Sequence, residues 1–113
     1  MLASIARVAT ERPRLYLRQL CEHFADQGQR HSSREFDVSF DEGTGLIDFA
    51  PVLSATCRLD AREPGVLALE ARGADLAALE RVRRIVAKHL ERFAEREGLT
   101  VDWRPPEPVP PGP

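Results

Sequence analysis

Cys21, Cys57 and His89 are the side chains whose types offer chemistry, and His23 lies beside the first of them in sequence. Two thiols with one or two imidazoles form the donor set that zinc, copper or iron prefers. A catalytic zinc site would use three such ligands and leave one position open. The same set offers a thiol nucleophile, Cys21 or Cys57, activated by His89. A nucleophilic cysteine needs a lowered pKa and substrate access. Neither cysteine is expected at a helix N-terminus, and apolar surroundings would raise its pKa instead. No Cys-x-x-Cys or His-x-x-x-His pair fixes two ligands locally, so a site depends on separate elements meeting. The opposing reading is packing. Cysteine behaves in cores as a small hydrophobe, and a histidine on an apolar helix face commonly bonds a backbone carbonyl or a carboxylate.

The elements that must position these residues follow from periodicity. Residues 3–9 read as a strand. Thr10 is a suitable helix cap, with Glu11 favourable and Pro13 tolerated in the first turn. Pro13, Tyr16, Leu17, Leu20, Cys21 and Phe24 then form one helical stripe, with His23 at its edge. Residues 25–34 are polar and read as a loop containing His31. Phe36, Val38 and Phe40 alternate with polar residues as a strand. Glu42 to Gly45 makes a hairpin turn, with glycine expected at positive φ, and residues 46–50 return. Ala55, Cys57, Leu59 and Ala61 alternate in the next strand, so Cys57 also points inward. After the turn at 62–65, Leu67, Leu69 and Ala71 alternate in another.

Asp75 caps a second helix that runs to about Glu97, with Gly98 as its stop. Its apolar face is Leu76, Leu79, Val82, Val86, Leu90 and Phe93, and His89 falls within it. Leu99, Val101 and Trp103 alternate as a last strand. Tyr16 and Trp103 fall on apolar faces and are expected in the core. Nine prolines are present, and all but Pro13, Pro51 and Pro64 fall in residues 105–113. That segment is expected to join no sheet or helix and to form a disordered proline-rich tail.

The expected class is therefore α+β. The order is β-α-β-β-β-β-α-β, a two-layer sandwich with an antiparallel sheet and two helices on one face. Residues 1–104 form a single domain in this reading. Asp37, Asp41, Asp48, Asp60, Glu70 and Asp102, interleaved with Arg58 and Arg72, are placed on the polar sheet face. They read as a solvated surface with cross-strand charge pairs, or alternatively as a partner-binding or dimerising face.

Composition removes whole classes of function. The chain has 113 residues, 16 basic against 18 acidic side chains and a net charge of −2. No strong field steers it toward nucleic acid or anionic lipid. Of the basic residues only Lys88 is not arginine, but the arginines are dispersed among carboxylates, as on solvated faces. No apolar run is long enough for membrane insertion, no secretory signal is evident, and two cysteines make no disulfide scaffold. A cytoplasmic location is expected. No phosphate loop, nucleophile elbow or Walker pattern identifies a cofactor.

Several strings resemble the bacterial domain-of-unknown-function family 2218. They are Ala6 to Pro13, Tyr16 to Phe24 (Tyr-Leu-Arg-Gln-Leu-Cys-Glu-His-Phe), Phe40 to Glu42 with Gly45 to Phe49, Thr56 to Ala61, and His89 to Trp103. Together they span almost all of the chain before residue 105. The chain differs where that family continues Leu-Cys-x-His-Phe with a Gly-His-Lys step; here Ala25 to Gly28 follows, and the next histidine is His31. The resemblance implies a small cytosolic bacterial protein with no established activity, in a family some of whose members are encoded beside siderophore and iron-uptake genes. Taken together, the expectation is a non-enzymatic binding or accessory protein, linked to iron or siderophore handling. A small molecule or metal would be its partner, and Cys21, Cys57, His89 and His23 are the candidate ligands. The alternative is an interaction module that forms a homodimer through its sheet. A thiol- or metal-dependent enzyme ranks below both.

Overall fold

The structure, a computed structural model, describes residues 1–31 and 36–109. The elements are β1 (Leu2–Ala9), α1 (Pro13–His31), β2 (Asp37–Phe40), β3 (Thr44–Asp48), β4 (Ala55–Asp60), β5 (Val66–Gly73), α2 (Leu76–Phe93), a short 3-10 turn (Glu95–Glu97) and β6 (Glu107–Pro108). The strands form one antiparallel sheet in the order β2-β3-β4-β5-β1-β6. This is the expected α+β class and element order.

Strict alternation sets the layers. Ala6 and Val8 of β1, Ile47 of β3, Cys57 and Leu59 of β4, and Leu67, Leu69 and Ala71 of β5 are all buried. Their neighbours, including Ile5, Arg7, Arg58 and Glu70, face the other way. Both helices cover the inward face. Leu17, Leu20, Cys21 and Phe24 of α1 and Leu79, Val82, Val86 and Leu90 of α2 close the core.

Two glycines let the layers approach. A Cβ on Gly73 would lie 2.5 Å from the backbone nitrogen of Leu79, so β5 and α2 can touch here only without a side chain. A Cβ on Gly45 would lie 2.8 Å from Cys21 Sγ, which is how α1 settles onto β3.

Several sequence expectations are corrected. Residues 25–34 do not begin a loop, because α1 continues to His31. Ala25, Gln27, Gln29 and Arg30 favour helix, and a lone Gly28 does not stop one. Residues 32–35 and the His31 side chain lie outside the described residues. The hairpin glycines Gly43 and Gly45 do not adopt positive φ; Gly65 and Gly98 do. The β2–β3 turn is shaped instead by Asp41, whose carboxylate accepts from the backbone of Gly43 and Thr44 at 2.8 Å each.

Asp75 caps α2 as expected, accepting from Ala78 N at 2.8 Å. The regular helix ends at Phe93, short of Glu97, and Leu76 is exposed at its start. Residues 99–103 are not a strand. The last strand lies further on, where Pro108 and Glu107 pair with Leu2 and Ala3. A strand edge can accept proline because only one side of it needs donors. The expectation that residues 105–113 join no sheet is thus corrected for Glu107–Pro108; residues 110–113 lie outside the described residues.

Candidate functional site: an imidazole pair at the helix seam

The four candidate ligands separate into two groups. Cys21 and Cys57 are fully buried free thiols under the helix layer. Cys57 sits opposite Ile47 in the β3–β4 register, two residues along from the Gly45–Leu59 pair over which Cys21 packs. Burial first, then Glu22, pushes the Cys21 thiol up to about 12. Burial raises Cys57 further, with Cys21 and Glu70 adding to it. Both are held as neutral thiols, the opposite of what a nucleophile or thiolate ligand needs.

His89 does not join them. Its ring contacts are with His23, Phe24 and Phe93, at centroid separations of 4.6, 5.1 and 6.4 Å. His23 in turn meets Phe24 and Phe93 edge-on at 5.2 and 5.4 Å. The two half-buried imidazoles therefore face one another across the seam between α1 and α2, at the margin of an aromatic cluster that continues through Phe24 to Phe49 and Phe36. His23 sits at the edge of the α1 stripe, as expected, whereas His89, expected within the apolar face of α2, is half-buried at its margin. The antiparallel packing of the helices brings the edges together.

One backbone contact fixes the chemistry of His89. Its Nδ1 lies 2.8 Å from the carbonyl oxygen of Ile85, one turn earlier. A carbonyl only accepts, so Nδ1 carries a proton, and in the neutral ring Nε2 keeps its lone pair. Metal-binding histidines are held by the same arrangement. Two imidazole nitrogens at 2.0–2.1 Å from one ion, at a tetrahedral angle, place their ring centres roughly 5 Å apart, near the separation seen here. Among the described residues, no group of three or more His, Cys, Asp or Glu side chains comes together to hold a metal.

Sequence reasoning missed a second polar centre. Beyond the histidines, at the start of α1, Glu97 accepts hydrogen bonds from the Tyr16 hydroxyl, the Thr10 hydroxyl and the backbone N–H of Glu11. The hydrogen bond to Glu97 is the main cause that raises Tyr16, and its counterpart lowers Glu97. Around this link lies a cleft of about 450 Å³ bounded by Arg12, Gln19, Arg92 and Arg96, with Leu15 and Phe93 among its apolar walls. The signal was present in the strings Thr10 to Pro13 and Arg92 to Glu97, but their helix-end positions gave no periodic reason to join them.

Tyr16 is buried, as expected, and Trp103 packs half-buried against the core. On the outer sheet face the described ion pairs are not cross-strand. Arg62, just past β4, pairs with Asp60 at its end, Arg72 pairs with Glu70 within β5, and Arg7 reaches Glu63 in the turn. No described helix is long and apolar enough to cross a membrane.

A comparison with curated proteins finds no match. Among solved structures, the chain is similar to the NMR structure of PA4090 from Pseudomonas aeruginosa. The identity is 30% and the TM-score 0.70, over 93% of this chain and 97% of that one. A family model described as an uncharacterized protein conserved in bacteria, DUF2218, matches residues 5–104. With the matched span covering nearly the whole chain, this protein belongs to the DUF2218 family.

Proposed function

We propose that this chain is a non-enzymatic binding protein that engages a metal complex through His23 and His89, in the setting of iron or siderophore handling. The observation that carries the reading is the imidazole pair, 4.6 Å between ring centres, with His89 Nε2 left as a lone-pair donor. Two ligands do not complete a coordination sphere. The metal therefore arrives with its other ligands already attached, and the protein fills two remaining positions. The buried, neutral thiols weigh against thiol catalysis. Iron enters from the gene setting of the family that the sequence resembles. In this reading residues 1–104 are the working domain, in the cytoplasm.

Nickel nitrilotriacetate is a suitable probe, because the chelator leaves two adjacent positions open. Titrating it into the untagged full chain should give saturable one-to-one binding. His23→Ala or His89→Ala should abolish that binding, and His31→Ala should not. Binding that survives the double replacement of His23 and His89 would sink the proposal, as would no binding at all.

A second reading, a homodimer through the sheet, draws on the outer face, where Ile5 is 39% exposed beside Glu70 in the register. Light scattering at high concentration tests it: a monomer throughout removes it.

A further inference from the structure

Strand β2 is an open end of the sheet. Among the described residues nothing pairs along its outer side, whereas the opposite end is closed by β6 with its Pro108. Edge strands are commonly protected by lysine, proline or a bulge. β2 has none of these: it reads Asp-Val-Ser-Phe, and its register with β3 is unbroken. Asp41 N donates to Thr44 O, so Asp41, Ser39 and Asp37 are the residues that turn their backbone groups to β3. Phe36, Val38 and Phe40 turn theirs to the open side. The side chains of these three share the helix-covered face, where Val38 pairs with buried Ile47. Phe40 is 41% exposed there. Beside it lies a notch of about 520 Å³, between the hairpin and Arg14, Leu15 and Arg18 of α1.

We propose that this edge is the interface with a second copy of the chain, β2 pairing antiparallel with the partner's β2 about a two-fold axis at Val38. It is a different surface from the outer sheet face and does not depend on metal binding. The register is self-complementary, as a two-fold axis requires. Val38 meets its own copy, and Phe36 lies opposite the partner's Phe40, in both directions. On the outer face Asp37 lies opposite the partner's Ser39, whose hydroxyl can donate to it. A pairing centred on Ser39 would instead set Phe36 against the partner's Glu42. The charges on α1 have the same symmetry. Arg14, Arg18, Glu22 and Asp26 follow at four-residue intervals, all exposed, two basic and then two acidic. α1 runs opposite to β2, because Arg14 and Arg18 lie beside Phe40 and Phe24 lies beside Phe36. The two-fold axis therefore turns the basic end of one α1 toward the acidic end of the other. Arg18 and Glu22 meet within the chain at only 3.9 Å, which leaves both able to turn to the partner.

Sedimentation equilibrium of the full chain over a concentration series should show a monomer–dimer equilibrium that weakens as salt rises. Phe40→Lys should weaken it by about tenfold or more while keeping the native circular dichroism spectrum. Arg18→Glu should weaken it, and the swap Arg18→Glu/Glu22→Arg should restore it. Ile5→Lys, on the outer sheet face, should dimerise as the parent does. In a mixture of labelled and unlabelled chains, isotope-filtered NMR should show contacts between Phe36 and Phe40, which stand roughly 13 Å apart along one strand. The proposal is overturned if the chain is a monomer throughout, if Phe40→Lys dimerises like the parent, if the swap fails to recover what Arg18→Glu loses, or if Ile5→Lys abolishes association and Phe40→Lys does not.

Discussion

At the scale of single residues, Gly45 and Cys21 make the most specific contact between a helix and the sheet. The cysteine fits because position 45 has no side chain, and a Cβ there would stand 2.8 Å from its sulfur and 3.2 Å from Phe40 Cβ. Gly45→Ala should destabilise the fold by about 1–3 kcal/mol, the usual cost of overpacking a close contact. Adding Cys21→Ala should recover part of that loss, because the clash disappears with the sulfur. Urea denaturation of the two variants checks this; equal stability losses in both would show that the sulfur is not the obstacle. Periodicity was enough to place Cys21, Cys57 and His89 on inward-facing stripes. It was not enough to say which would touch. A stripe is a face about 100° wide, and His89 lies at one margin of it, so it meets His23 across the seam rather than the thiols beneath.

At the scale of elements, the link from Tyr16 to Glu97 ties the start of α1 to the turn after α2. Its pH dependence has two limbs. Glu97 is held below the ordinary carboxylate value, mainly by the Tyr16 hydroxyl, so its contribution is present above about pH 4.5 and is lost as pH falls through its folded value. Tyr16 is held above its ordinary value, so its contribution is present below about pH 10 and is lost as pH rises through the folded value. Tyr16→Phe should therefore lower Tm most between about pH 5 and 9, with the difference from the parent narrowing in acid. A Tm difference that stays constant down to pH 3 would contradict this link.

Strands β1 to β5 were legible because alternation fixes both type and facing. The ends were not. α1 runs past Phe24 because a polar stretch without proline can remain helical, which periodicity alone does not reveal. Residues 99–103 have the alternation of a strand but make no ladder. Arg104 donates to Ile5 O, and the chain then pairs at Glu107–Pro108. An alternating segment becomes a strand only when an edge is available in register, and that is a property of the tertiary fold.

At the scale of the whole molecule, the family match stops at residue 104 while the chain continues along the β1 edge. Ser4 Oγ donates to Arg104 O at 2.6 Å, and Val109 N to Met1 O at 2.9 Å. Truncation after Arg104 removes the second contact and keeps the first. A few exposed edge bonds contribute about 0.5–1.5 kcal/mol each, so the shortened chain should fold with Tm lowered by less than about 10 °C. A chain that fails to fold would show that the two-residue strand is a structural requirement.

Both helices pack on the same face of the sheet. There the imidazole pair lies between antiparallel helices, a common place for ligand sites.

Paramagnetic broadening by one equivalent of nickel nitrilotriacetate, read residue by residue in the NMR spectrum of the full chain, tests the central claim most directly. The account predicts broadening that is strongest at His23 and His89, extends to Phe24 and Phe93, and disappears in His89→Ala. Broadening centred on Cys21 and Cys57, or anywhere away from the seam, would contradict it.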